Sequence, residues 1–109
     1  MIPLRYGIYL ANLDPVIGRE IAKTRPVVVV SLDAMNAHAG TVVVCPLTTT
    51  LHAGWRSRIV VRCAGRPAEI AVDQIRTIST RRLVRKVDAL SADAAARVRT
   101  LILEMYAQE

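Results

Sequence analysis

The chain has 109 residues, of which 52% are hydrophobic, and it carries a formal net charge of +6 with a pI of about 10.2. Its length predicts one domain, residues 1–109, with a single core. The longest apolar runs, at residues 26–30 and 42–47, are far shorter than the roughly 20 residues of a membrane-spanning helix, and the first residues do not resemble a secretion signal. These features disfavour a membrane protein and predict a cytoplasmic one.

The basic residues indicate the kind of partner. All of them except Lys23 and Lys86 are arginines, whose planar guanidinium suits phosphate oxygens, so the positive charge indicates a polyanionic partner. Cys45 and Cys63 lie in apolar stretches without the spacing of a metal site, and we expect buried free thiols. The pattern predicts no metal and no other cofactor. The high hydrophobic fraction favours a homodimer.

In chain order, short β-prone stretches predict the strands. They lie at residues 5–11, 26–31, 41–47, 58–62, 69–72, 74–79 and 83–87. The run at residues 26–31 lacks alternation, as is typical of a strand covered on both faces, and Pro26 is expected to open it because proline lacks a ladder N–H. A turn around residues 65–67 is expected to join the fourth and fifth strands.

The end of the chain changes period. Ser91 is a candidate N-cap, and Val98, Leu101, Ile102 and Met105 recur at helical spacing. Only a short helical or irregular piece is expected earlier, at residues 33–38, so parallel βαβ units are excluded. We predict a mainly β fold with α: a strongly bent, barrel-like antiparallel sheet of about five to seven short strands, closed by a C-terminal amphipathic helix.

Three segments rich in charge or hydroxyl groups lie at strand ends, where a rigid sheet commonly presents binding groups. Residues 18–26 precede a buried strand, residues 46–50 follow another, and residues 73–76 leave a third. The candidate site residues in these segments are Arg19, Glu20, Lys23, Arg25, Thr48, Thr49, Asp73, Gln74 and Arg76.

These segments resemble the MazF/PemK family of toxin ribonucleases. The family has Gly-x-Glu and Arg-Pro in its first loop, a Pro-aliphatic-Thr after the next apolar strand, and a later Asp-Gln-x-Arg-Thr stretch followed by Arg-Leu. The matching residues here are Gly18, Glu20, Arg25 and Pro26, then Pro46 to Thr48, then Asp73, Gln74, Arg76 and Thr77, then Arg82 and Leu83. The similarity covers residues 6–90 with the spacings intact.

The resemblance implies an SH3-like barrel dimer of the CcdB/PemK type, which acts as the toxin of a toxin–antitoxin system. It implies metal-independent, sequence-specific cleavage of single-stranded RNA, with mRNA as the first expected target and tRNA or rRNA as alternatives. It also implies neutralisation by a small MazE-like antitoxin whose disordered tail fills the RNA groove. By position, Arg25 and Thr48 take the catalytic roles, and the other candidate residues support them or bind RNA.

The chemistry suits these residue types. RNA is cleaved when its 2′-OH attacks the adjacent phosphate, so the protein must align the attack, stabilise the extra negative charge and assist proton transfer. Arg25 is expected to bind the transition-state phosphate, with Thr48 as a second donor. Glu20 or Asp73 could accept the proton or orient Arg25. One PemK-like branch instead uses a first-loop His and an Arg two residues before the later Asp, but Arg19 and Ala71 occupy those positions here.

Several residues have a plainer interpretation. Glu20 fits an exposed pair with Lys23 equally well, and Asp73 fits a structural or RNA-contacting role better than that of a base. His38 and His52 lie outside the family motifs and are expected to be ordinary surface residues. Trp55 fits stacking on a base or covering a dimer interface. The basic run at residues 81–86 fits two interpretations equally well: its side chains bind RNA phosphates, or they are simply solvent-exposed.

Two other functions remain open. A CcdB-like toxin has the same general fold and poisons DNA gyrase by binding it through a helix with a Trp-containing terminus. This chain ends at Met105-Tyr106-Ala107-Gln108-Glu109, without a Trp. An inactive family member would bind RNA in a salt-sensitive way without cleaving it.

Overall fold

The computed structural model describes residues 1–107. Within them lie the strands β1 (Gly7–Asn12), β2 (Thr24–Val29), β3 (Thr41–Thr48), β4 (Arg58–Cys63), β5 (Arg66–Ala71), β6 (Arg76–Ser79) and β7 (Leu83–Ala89). The helices are α1 (Asp33–Asn36) and α2 (Ala92–Tyr106), and 3₁₀ turns cover Val72–Gln74 and Thr80–Arg82. Every strand pairing is antiparallel.

Strand β3 joins the two halves of the sheet. The order is β4-β5-β3-β2-β1-β7, and β6 pairs with β3 beside this path. Along one edge of β3 the neighbour changes, because residues 41–44 pair with β6 whereas Leu47 and Thr48 pair with β5. The sheet therefore curls about β3, which confirms the predicted strongly bent antiparallel sheet.

Both faces of β2 are covered. Val28 belongs to the core that α2 closes with Val98, whereas Val27 and Val29 belong to a second core with Leu13. All three valines are fully buried, as expected of a strand without alternation. The remaining predicted stripe of α2, formed by Leu101, Ile102 and Met105, packs against the first core.

The ends of most strands differ by a few residues from the sequence-based predictions, whereas the N-cap of α2 agrees with its prediction. Ser91 accepts a hydrogen bond from the backbone N–H of Ala94 at 3.1 Å, so the predicted cap is confirmed. Pro26 does not open β2, which begins at Thr24; β2 pairs with β3 only from Val27, so one side of the strand at Pro26 has no ladder bond to lose.

The β4–β5 hairpin also turns earlier than predicted. Cys63 pairs with Arg66, so the connecting residues are Ala64 and Gly65, both with positive φ, and not residues 65–67. Two positive φ angles give a turn whose twist matches that of the flanking strands, which is the usual reason for such a short connection. Pro67 consequently lies inside β5, opposite Arg62.

Two further predictions concern the cysteines and the membrane. Cys45 and Cys63 are buried free thiols, as expected. Burial, with a smaller contribution from the charge of Asp73, raises the pKa of Cys45 to about 12, and burial also raises that of Cys63. Because the thiolate is the reactive form, both are poor nucleophiles. Among residues 1–107, no helix has the length and apolar character needed to cross a membrane.

Candidate active site

The ends of three neighbouring strands carry polar side chains in one row. Thr48 lies opposite Glu69 in the β3–β5 register. The β2–β3 register pairs Val27 with Pro46 and Val29 with Val44, so alternate residues of the two strands, Arg25 and Thr48 among them, project to the same side of the sheet. Residues that face one another in antiparallel strands project to the same side of the sheet. The row Arg25–Thr48–Glu69 therefore occupies one face.

A groove adjoins this row. Its larger part is a cavity of about 480 Å³ that is lined by Arg19, Ile21, Thr48, Thr50, His52, Trp55, Arg58, Asp73 and Gln74. A second cavity of about 400 Å³ is lined by four of the same residues (Arg19, Ile21, Asp73 and Gln74) and also by Ile17, Glu20, Pro46, Ile75 and Arg76. The shared residues make the two cavities parts of one groove, to which all three motif segments contribute.

Arg58 lies at the centre of a charged network in one wall of the groove. Its Nε donates to Asp73 Oδ1 at 2.7 Å, and its Nη1 donates to Glu69 Oε1 at 2.9 Å. The Arg58 side chain is 5% exposed and that of Glu69 only 1%, so an unpaired charge here would be costly. Sequence reasoning missed both residues, although a glutamate inside the apolar stretch 68–72 is a signal for a buried partner.

The ionisation of this network follows from its contacts. Burial alone would favour the neutral forms. For Glu69, burial is outweighed by hydrogen bonds from His52 and Arg58, so its pKa is lowered; for Asp73, burial is outweighed by hydrogen bonding and charge from Arg58, so its pKa is lowered too. Burial likewise opposes the charge of Arg58, but the two carboxylates raise its pKa. All three groups stay charged near neutral pH.

His52 is attached to the same network, so the expectation that it is an ordinary surface residue is wrong. Its backbone N–H donates to Glu69 Oε2 at 2.7 Å, and its ring Nδ1 lies 2.9 Å from Glu69 Oε1. The ring stacks on Trp55 with centroids 4.0 Å apart, and the Arg58 guanidinium lies 4.8 Å from the Trp55 ring centre. We call His52, Arg58, Glu69 and Asp73 the strand wall. His38, by contrast, is exposed, as expected.

Residues 17–23 of the β1–β2 connection form the other side of the groove, and we call them the loop wall. Gln74 Oε1 accepts a hydrogen bond from the backbone N–H of Ile21 at 2.8 Å, which ties this loop to the segment after β5. Glu20 Oε1 accepts from the backbone N–H of Ile17 at 2.9 Å. Among the described residues, the ion pairs do not include a contact between Glu20 and Lys23, which was one of the two interpretations of Glu20.

Arg25 is held by the same loop. Its Nε donates to the carbonyl oxygen of Ala22 at 2.8 Å, and within residues 1–107 its terminal nitrogens carry no hydrogen bond. The expectation that Glu20 or Asp73 orients Arg25 does not hold in this structure, because Asp73 binds Arg58 and Glu20 binds the backbone of Ile17. Arg25 thus has two donors free at the end of the row.

The structure brings together most of the residues predicted from the motifs. Arg19, Glu20, Thr48, Asp73, Gln74 and Arg76 line the groove, whereas Lys23 and Thr49 are exposed and Arg25 lines neither of the two cavities. Arg76 Nη1 is buried without a hydrogen-bond partner in the described part of the chain, a cost that an anionic ligand would relieve. Within residues 1–107, no group of three or more His, Cys, Asp or Glu residues is placed to hold a metal ion.

The fold and the site define a small basic β protein. Its curled antiparallel sheet is closed by one C-terminal helix, and arginines lie along a groove at the strand ends. A family model described as the PemK-like, MazF-like toxin of type II toxin–antitoxin systems matches residues 4–106. The chain therefore belongs to this family, and the resemblance seen in its motifs is confirmed.

Three known proteins illustrate the relationship. The chain is 32% identical over 103 residues to endoribonuclease EndoA of Bacillus subtilis, and the match covers 90% of this chain and 89% of EndoA. The structure of MazF from Deinococcus radiodurans has a TM-score of 0.88 at 24% identity over 99% of both chains. A MazE–MazF structure from the same organism has a TM-score of 0.81 at 24% identity, covering 100% of this chain and 99% of the other. The two structures support the fold.

Proposed function

We propose that this protein is the toxin of a toxin–antitoxin pair and a metal-independent endoribonuclease that cleaves single-stranded RNA, mRNA first. The observation that carries the proposal is the row in which Arg25 and Thr48 end adjacent strands beside a groove lined by further arginines. Membership of the MazF-like family and the likeness to an enzyme named as an endoribonuclease support it.

The donors in this row suit a phosphate that gains negative charge. The free terminal nitrogens of Arg25 offer two parallel N–H groups to phosphate oxygens. Thr48 Oγ1 already accepts from the backbone N–H of Thr50 at 3.2 Å, which leaves its own hydrogen to donate. As the 2′-oxygen attacks and the phosphorane forms, both groups bind more strongly, and this difference lowers the barrier.

The groove supplies the affinity for RNA. Arg19 is exposed along it and Arg76 has a buried donor to spare, so phosphates on either side of the scissile bond meet positive charge. We place the protein in the cytoplasm, where this substrate occurs. A MazE-like antitoxin, as in the MazE–MazF structure, would inhibit it by filling the groove, and we expect the active form to be a homodimer.

The CcdB-like alternative loses its support. The family that matches the chain is MazF-like, and a protein that only binds gyrase has no use for an arginine and a threonine with free donors beside a basic groove. The inactive family member is separated from the enzyme by the assay that follows.

The test is cleavage of a single-stranded RNA in EDTA by the purified protein. We expect products ending in a 2′,3′-cyclic phosphate and a 5′-OH, identified by mass spectrometry. Arg25→Ala and Thr48→Ala should each lower kcat by about 100-fold or more, with unchanged thermal unfolding. Arg66→Ala and Thr41→Ala are the matched controls, because both residues are exposed and lie away from the groove.

Each result has a distinct meaning. Absence of cleavage by the wild-type protein, with salt-sensitive RNA binding retained, would establish the inactive family member. Full activity of both Arg25→Ala and Thr48→Ala would remove the assignment of the site while leaving the enzyme. If double-strand DNA breaks precede mRNA decay after expression in cells, this result would support the CcdB-like, gyrase-binding alternative.

A further inference from the structure

The Arg25–Thr48 pair leaves open which group accepts the proton of the attacking 2′-OH. A guanidinium has a pKa above about 12 and is a poor base near neutral pH. Asp73 is engaged by Arg58 through hydrogen bonds at 2.7 and 3.4 Å. Glu20 accepts a backbone hydrogen bond within the loop wall. Asp73 is therefore paired with Arg58, and Glu20 lines the second cavity and not the one that Thr48 lines.

His52 stands beside the row and can be reached from the groove. It is bonded to Glu69, and Glu69 lies opposite Thr48 in the β3–β5 register, so His52 and Thr48 line the same cavity. The side chain of His52 is 29% exposed, whereas the carboxylate that holds it is buried. A group that is fixed on one side and open on the other is suited to exchange a proton with a ligand.

The contacts of Glu69 decide which ring nitrogen is available. Because Glu69 is ionised, it accepts hydrogen bonds, so the proton of a neutral His52 ring lies on Nδ1, which is 2.9 Å from Oε1. Arg58 Nη1 lies 3.3 Å from Nδ1, but it has a better acceptor in the same Oε1 at 2.9 Å. The lone pair is thereby left on Nε2, and the stack with Trp55 sets the plane of the ring.

We propose that His52 is the catalytic base of RNA cleavage, with Glu69 as the positioning residue that orients its ring; this assignment rests on the proposed function. Nε2 takes the proton of the 2′-OH while the 2′-oxygen forms a bond to phosphorus. The bond between phosphorus and the 5′-oxygen breaks, its electron pair stays on that oxygen, and the oxygen takes a proton from water. His52 then returns its proton to water, so no other reactant is consumed.

The charged groups that face His52 are carboxylates and arginines and include no second histidine among the residues that line its cavity. Glu69 of β5, Arg58 of β4, Asp73 of the 3₁₀ turn and Arg19 of the loop wall lie around the cavity that it lines. Arginines stay protonated and ordinary carboxylates stay ionised across the range from about pH 5 to 8, in which a histidine changes charge. A change of rate in this range consequently reports on the imidazole.

The experiment compares His52→Ala and His52→Gln with His38→Ala, which replaces the exposed histidine outside the groove. We expect both His52 variants to lower kcat by about 100- to 10,000-fold, with KM changed by less than about threefold, and His38→Ala to match the wild type. The wild-type kcat/KM should fall as the pH drops below neutrality, and this acidic limb should be absent from both His52 variants. His52→Gln keeps a polar side chain and guards against a variant that fails to fold.

Two further readouts distinguish a base from a structural residue. Added imidazole should restore part of the activity of His52→Ala by occupying the vacated space, and it should leave Thr48→Ala unaffected. An RNA with sulfur in place of the bridging 5′-oxygen has a leaving group that needs no proton. The defect of His52→Ala should persist on this substrate, since the base is required to form the new bond in either case.

The outcomes separate this inference from the proposed function. Wild-type cleavage that His52→Ala and His52→Gln retain in full would overturn the base and leave the ribonuclease standing. A raised KM with unchanged kcat would also overturn it, because His52 would then bind RNA without reacting. Loss of the defect on the 5′-thio substrate would identify an acid instead of a base. Failure of the wild-type protein to cleave any RNA would overturn the proposed function and, with it, the assignment of a catalytic base.

Discussion

The two sides of the groove are built in different ways. In the strand wall, Arg58 and Glu69 lie on paired strands, whereas Asp73 lies on the turn after β5 and His52 on the connection before β4. Each of the four is bound by at least one other at 2.9 Å or less. The loop wall consists mostly of exposed residues between β1 and β2. One hydrogen bond from Ile21 to Gln74 ties it across the groove, and the half-buried Ile21 side chain packs against the second core. The arginine of the row belongs to the loop side, and the histidine belongs to the strand side.

This difference divides the work of binding and catalysis. Groups that must meet a reacting atom within a fraction of an ångström are best held by buried contacts on rigid elements. Groups that must adapt to varied RNA, or yield to an antitoxin, are best placed on a segment with few attachments. The contrast predicts that the two sides respond unequally to substitution.

Breaking the strand wall should have the largest effect on stability. Arg58→Met removes the cation from a glutamate that is 1% exposed, and loss of one partner of a buried pair costs about 3–5 kcal/mol. Urea unfolding at neutral pH measures the difference. Arg56→Met, an exposed arginine two positions earlier, is the matched control and should change the free energy of unfolding by less than about 0.5 kcal/mol. Equal effects of the two substitutions would mean that the network contributes nothing beyond an ordinary surface arginine.

Acid should weaken the strand wall next. Burial raises the pKa values of Glu69 and Asp73 in the folded protein, but hydrogen bonds outweigh it and lower both values. Glu69 receives these bonds from His52 and Arg58, and Asp73 receives them from Arg58. Their contribution to stability is complete above the unfolded pKa values of about 4, and it is lost as the pH falls through the lowered folded values. The free energy of unfolding should therefore fall as the pH drops below about 4. Arg58→Met should show a shallower drop over this range, and parallel curves for the two proteins would contradict the linkage.

Releasing the loop wall should lower the free energy of unfolding less than acid does, but it should make the loop more sensitive to proteolysis. Gln74→Ala removes the acceptor for the Ile21 N–H, which should cost about 1 kcal/mol and expose the loop to trypsin at Arg19 and Lys23. Gln74→Glu keeps an acceptor at the same place and serves as the control. Mass spectrometry of the first cleavage products measures the effect. Identical digestion rates for the wild type and Gln74→Ala would show that this bond does not hold the loop.

The smallest effect on stability is expected at the exposed end of the loop wall. Arg19→Ala should leave the free energy of unfolding within about 0.5 kcal/mol of the wild type. It should nevertheless weaken binding of an uncleavable RNA with a 2′-deoxy residue at the scissile position, and lower the salt slope by about 0.7. Arg66→Ala in the β4–β5 hairpin is the control. An unchanged salt slope would mean that Arg19 makes no phosphate contact.

Much of the fold could be predicted from local patterns. The β-branched run of β2 signalled its two-sided burial, and the spacing of Val98, Leu101, Ile102 and Met105 signalled the packed face of α2. Strand ends were harder, because Pro26 and Pro67 lie within strands whose second neighbour does not extend that far. A proline excludes a ladder bond only where a partner is present, and the sequence does not show where each pairing stops.

The residues of the candidate site also fall into those that the sequence indicated and those that it did not. The motifs around Arg25, Thr48 and Asp73 were visible because each lies in one continuous stretch with a characteristic spacing. The strand wall was not visible, since His52, Arg58 and Glu69 belong to three different segments and none of them has a family spacing. Asp73 was expected to have a structural or RNA-contacting role, or to orient Arg25, and the structure places it against Arg58, a partner that the sequence did not indicate.

By itself the sequence determined the class of the protein: the excess of arginine, the order of strands and the final helix, and the three motif segments that end neighbouring strands. Only the tertiary structure decided which groups stand together at those ends. The pairing of Thr48 with Glu69 follows from how β3 exchanges β6 for β5 along one edge, and this exchange brings His52 to a carboxylate 17 residues away. Such a register depends on packing across the whole curled sheet, so no local pattern of residues encodes it.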